Sequence, residues 1–274
     1  MSTFTTPNPI TAALTTAGAR VRIAASERTD TVVRVQPVNA ANSTDVKVAE
    51  KTKVEFADGV LSVKTTKSGS QTGSVEIAIE LPAGSKLVLN TAWTEVQADG
   101  ILGDCEVNIG SGQVQLDRVA ALHGNLGAGG LAVGHVAGEA VIEGSTAGLR
   151  IGEADGEIRY HGTTGKVWIG HARADIDLGG SNGSFDIGTA DGSVVAKAAN
   201  CPIRIGRVTR GQVELSNAAG GIEVGVSAGI AADVDAKSTK GLVRSTLGAP
   251  DSSGAALKVH ARTRLDDIVL YPAA

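Results

Sequence analysis

A repeat of about eighteen residues constrains this chain more than any other feature. The segment Gly148-Leu149-Arg150-Ile151-Gly152 recurs at Lys166-Val167-Trp168-Ile169-Gly170, Ser184-Phe185-Asp186-Ile187-Gly188 and Pro202-Ile203-Arg204-Ile205-Gly206. After nineteen residues it returns as Gly221-Ile222-Glu223-Val224-Gly225. Upstream lies Gly130-Leu131-Ala132-Val133-Gly134, and Val114/Leu116 and Val96/Ala98 continue the series at steps of seventeen and eighteen. A fixed period of this length marks a solenoid or array, in which each repeat stacks on its neighbours.

In each copy two apolar residues flank one outward residue, and a glycine usually follows. Alternation with period two places both apolar residues on one face of a short strand. The glycine column Gly134, Gly152, Gly170, Gly188, Gly206, Gly225 predicts a bend at the same point of every rung. A second strand fills the other half of the repeat, with apolar pairs Ala140/Ile142, Ile158/Tyr160, Ile176/Leu178, Val194/Ala196 and Val213/Leu215. Turn-forming runs such as Gly162-Thr163-Thr164-Gly165 follow. The expected fold is all-β: a single-stranded β-solenoid (β-helix) with rungs of about eighteen residues and parallel strands about 4.8 Å apart. Two or three faces per rung both fit this length.

The outward positions support the register. Between the inward pairs lie Arg150, Trp168, Asp186, Arg204 and Glu223. Stacking sets Asp186 beside Arg204, Arg204 beside Glu223, and Arg150 over the Trp168 ring as a cation–π contact. Asp155, Arg173 and Asp191 form another alternating column. Opposite charges on neighbouring strands are the favourable arrangement.

The ends follow other patterns. Residues 1–17 read as a flexible N-terminal tail, 18–87 as a small β-rich cap, 88–248 as the repeats and 249–274 as C-terminal closing strands. Within the cap, Val54-Glu55-Phe56 and Val60-Leu61-Ser62-Val63 flank Asp58-Gly59, a hairpin signature. A loop is expected over Pro250 to Gly254.

Composition narrows the function classes. Thirty-six glycines against 3% aromatic residues suit closely stacked backbones rather than a ring-filled globule. A net charge of −4 with no Lys/Arg run argues against nucleic acid as a partner. No stretch has the length of an apolar membrane helix, and residues 1–17 lack the pattern of a signal peptide, so no membrane partner and a cytoplasmic location are expected. Cys105 and Cys201 are expected as reduced thiols packed in the solenoid wall.

The order of these segments resembles the DUF4097 family of adhesin-labelled β-strand-repeat proteins, in its cytoplasmic actinobacterial type. The resemblance rests on Glu80-Leu81-Pro82-Ala83-Gly84-Ser85-Lys86-Leu87 before the repeats, on Gly183-Ser184-Phe185-Asp186-Ile187-Gly188 and Gly192-Ser193-Val194 within them, and on the closing segment 259–269. Phe4 and Pro9-Ile10 resemble the opening of its cytoplasmic members. It implies a repeat array and no defined catalytic residues.

Candidate chemistry is sparse. His135, Glu153 and His171 fall in one column, read here as a polar ladder rather than a metal site, because the outer two are separated by two strand spacings. Glu143 and His161 form a similar pair, but a general acid/base needs a cleft as well. Trp168, with Arg150, is the candidate surface contact, whereas Tyr160 falls in an inward column. No phosphate loop, nucleophile elbow or zinc-ligand spacing occurs. No catalytic residue, cofactor or metal is expected. The leading reading is a non-enzymatic scaffold that meets a protein partner or a second copy through a solenoid face. Rival readings are a self-assembling, bactofilin-like polymer, a polysaccharide-binding or adhesin-like module, and an enzyme acting on polysaccharide.

Overall fold

The computed structural model describes residues 1–65, 74–248 and 257–274. The loop expected over Pro250 to Gly254 lies outside the described residues. The chain divides into two units, Met1–Ala137 and Gly138–Ala274. Each is built from two sheets of mainly parallel strands, with one strand of each rung in each sheet. Two strands per rung, not three, settle the number of faces. The fold is the β-solenoid that the repeat predicts.

In the second unit the register follows the sequence columns. Leu149 pairs with Val167, Val167 with Phe185, Phe185 with Ile203 and Ile203 with Ile222. On the other sheet Ile142, Tyr160, Leu178, Ala196 and Leu215 are buried, and neighbours from Ile142 to Leu215 pair in order. These inward residues form the core between the sheets, and their burial is the main stabilising term. The nineteen-residue step enters at the corner between Val208 and Val213, where Gly211 has positive φ (92°), because Ala190 pairs with Val208 but Val194 with Val213; it ends at a register shift between Ile205 and Val208.

The last strands do not close the second unit. Leu257–Thr263 lies between Gly211–Asn217 and Ala232–Ser238, parallel to both, and Ile268–Ala273 lies between Ile222–Ser227 and Val243–Ser245. The chain therefore passes over one rung position, builds the edge rung, and returns to fill the gap.

The first unit repeats this device at its beginning. Residues 1–17, expected as a flexible tail, form Ser2–Thr5 and Thr11–Ala17. Thr11–Ala17 is inserted between Val60–Lys64 and Lys86–Ala92, with Ala12 and Leu14 fully buried. Ala19–Ser26 likewise lies between Val75–Pro82 and Thr94–Leu102. Alternating small apolar residues in Thr11–Ala17 explain this order, because burying that face outweighs the entropy of fixing the segment. The region 18–87, read as a small β-rich cap, supplies end strands of both sheets, with Asp30–Pro37 antiparallel to both Ser2–Thr5 and Val75–Pro82. The hairpin Lys53–Ala57/Val60–Lys64 forms as expected, and Asp58 and Gly59 both adopt positive φ (52° and 77°), as a type I′ turn requires.

One element was not anticipated: the helix Ser43–Lys51. Asn42 is its N-cap, its side chain accepting from the Thr44 backbone N–H at 2.9 Å, and Asp45 sits in the first turn. The helix packs on Asp30–Pro37 and Val75–Pro82.

Candidate functional site

Parallel, in-register strands convert the outward positions of the repeat into columns. In the second unit, Arg150, Trp168, Asp186, Arg204, Glu223 and Val269 occupy consecutive strands of one sheet. The Arg150 guanidinium carbon lies 3.5 Å from the centroid of the Trp168 ring, which is the expected cation–π contact. The indole lies across Gly170, where a Cβ would come within 2.9 Å of ring atom Cη2. Gly170, inside the strand Lys166–Ala172, therefore makes room for the ring.

Further along the column, Arg204 joins Glu223 through Nε at 2.9 Å and Asp186 at 3.8 Å. All three side chains are well exposed, so each pair contributes on the order of 0–1 kcal/mol. The column fixes the orientation of its members more than it stabilises the fold.

Glu153 and His171 are register partners. Their side chains turn to other neighbours: Glu153 receives Arg173 at 3.2 Å, and His171 Nε2 lies 2.6 Å from Asp191 Oδ2. Arg173 also pairs with Asp155, as the alternating column predicts. His135 belongs to the first unit, where it pairs with Arg118 in register. Among the described residues no group of three His, Cys, Asp or Glu side chains is placed to hold a metal ion. Glu143 and His161 are also register neighbours, with the His161 ring over Gly179.

Several shifts follow from these contacts. The His171 hydrogen bond, with a smaller contribution from Thr209, holds the Asp191 carboxyl below its usual range. Hydrogen bonds to Asp155 and Glu153 raise the Arg173 guanidinium further. Burial lifts the Tyr160 phenol and pushes the Cys105 thiol up to about 12. Both cysteines are buried and unbridged, which matches packed thiols.

Sequence reasoning missed Trp93. It is 48% exposed and adopts φ +48°, a left-handed conformation that is unfavourable for a bulky residue. One signal was available: Trp93 occupies a corner where the next rung has Gly110-Ser111.

Fold and surface together define a class: a stacked-rung β-solenoid whose outward columns form charged and aromatic ladders. No family model matches the chain, and no curated protein does. The chain is similar to solved structures described as a "putative adhesin". That from Parabacteroides merdae is 14% identical with a TM-score of 0.36, covering 97% of this chain and 94% of its own. That from Bacteroides fragilis is 11% identical with a TM-score of 0.31, covering 98% and 95%.

Proposed function

We propose that this chain is a non-enzymatic interaction scaffold whose contact surface is the column centred on Trp168. The observation that carries the reading is the Arg150–Trp168 stack in line with the Asp186–Arg204–Glu223 ladder. Tryptophan and arginine are among the residue types enriched at the energetic centres of protein interfaces. The charges on this face are taken up by one another along the column, which supports binding rather than acid/base chemistry.

The test compares an Arg150→Glu/Trp168→Ser/Arg204→Glu variant with an Arg159→Glu/Lys197→Glu control on the opposite sheet. Quantitative cross-linking in the native host should lose specific partners only with the first variant. Identical cross-link sets for the parent and both variants would sink the reading.

A second reading, self-association, is favoured by one observation. The edge strand Ala232–Ser238 pairs on one side only among the described residues, and Val234 on its inward face stays half-buried. Such an edge is a template for another strand. Negative-stain microscopy over a concentration series separates the readings: lengthening filaments favour self-association, and discrete particles at every concentration remove it.

A further inference from the structure

We propose that a groove in the first unit, beside Trp93, binds a neutral linear glycan. The site is separate from the Trp168 column, and the inference does not rest on that reading. The groove has a volume of about 530 Å³, within the usual size of small-ligand sites. Thr15, Asn90, Asn108 and Asn125 line it from four consecutive parallel strands, in register. Asn108 Nδ2 donates to Asn90 Oδ1 at 3.2 Å and also lies 3.1 Å from Glu106 Oε1. The column thus offers amide and hydroxyl groups at intervals of about 4.8 Å. That interval is close to the advance of one pyranose ring along an extended chain.

A feature beside the lining marks the groove as built for a ligand. Trp93 directly follows the groove residue Ala92 and is exposed in a strained backbone conformation, with its backbone N–H donating to Ser111 Oγ at 3.0 Å. Strain of this kind concentrates where a side chain must be displayed. The remaining lining is small or apolar. A Cβ on Gly127 would meet the Gly110 carbonyl oxygen at 2.7 Å, so glycine there permits the close approach of the two rungs.

Charge selects the ligand class. No residue lining the groove is ionisable. Phosphodiesters and anionic lipid surfaces require cations that this lining lacks. A neutral sugar chain needs what is present: amides and hydroxyls for its hydroxyl groups, and an indole for the apolar C–H face of a ring.

The experiment is titration calorimetry of the full chain with cellohexaose, mannohexaose and xylohexaose. Saturable binding of at least one is expected. Trp93→Gly, which suits the positive φ, should weaken it by at least about tenfold without lowering the melting temperature. Trp168→Ser should leave it unchanged. Absence of saturable heat with all three sugars, full binding by Trp93→Gly, or an equal loss in Trp168→Ser would each overturn the proposal.

Discussion

His171 Nε2 lies 2.6 Å from Asp191 Oδ2, and the same carboxylate accepts a 2.9 Å bond from the Thr209 hydroxyl through Oδ1. Three successive rungs are thereby tied at one corner. Because hydrogen bonding lowers the folded-state pKa of Asp191, its contribution is fully present above the unfolded value of about 4 and is lost as pH falls through the folded value. Asp191→Asn should therefore lower stability by about 1 kcal/mol near pH 6, with the half-buried position limiting the size. The difference between parent and variant should narrow as pH falls below the unfolded value and close once the folded Asp191 is protonated. Thermal melts across pH check this; a constant gap would refute the linkage.

Tyr160 is the largest fully buried side chain of its column, and its hydroxyl has no partner among the described residues. Three glycines enclose it: a Cβ on Gly144, Gly162 or Gly165 would fall 2.6, 2.2 or 2.4 Å from the phenol oxygen. Tyr160→Phe should be neutral or stabilising by up to about 1 kcal/mol, since it removes an unsatisfied polar atom. Gly162→Ala should cost about 1–3 kcal/mol by overpacking. In a Tyr160→Leu background the atoms that would clash are gone, and the cost should fall sharply. A chemical-denaturation double-mutant cycle measures the coupling.

Cys105, with a thiol pushed up to about 12, and Cys201 are both buried. Thiolate is the reactive form, so neither should react with an aromatic disulfide reagent in native protein at pH 8. Both should react in denaturant. Rapid labelling of the native chain would show that the solenoid wall opens there.

These sites differ in how far the sequence exposes them. The Arg150–Trp168 stack and the Arg204 pairs were legible because parallel pairing in a fixed register turns spacing into contact. The partners of Glu153 and His171 were not, since long side chains at a corner reach diagonally: Arg173 to Glu153 and Asp191 to His171 are both twenty residues apart. Trp93 was hidden by its turn position, where periodicity carries no information. The order of the end rungs was also hidden. Thr11–Ala17 has the alternation of any rung, and nothing local states that it pairs with Lys86–Ala92, seventy-five residues on.

That order makes a prediction opposite to the usual fraying of chain ends. Leu257–Thr263 is sequentially near the C-terminus but has a strand on each side, and Leu257, Val259 and Ala261 are buried. Ala232–Ser238 lies deeper in the sequence but occupies the edge, with no fully buried residue. Protection against exchange follows hydrogen bonding and burial rather than distance from a terminus. Amides of 257–263 should therefore exchange more slowly than those of 232–238, by about a hundredfold if the inner strand opens only about 3 kcal/mol less readily. A chain ending at Ala256 should also lose protection in 232–238, because its only described neighbour on that sheet is removed. Hydrogen-exchange mass spectrometry of both chains decides the matter. Faster exchange in 257–263 would mean that the return strand is not seated between its two partners.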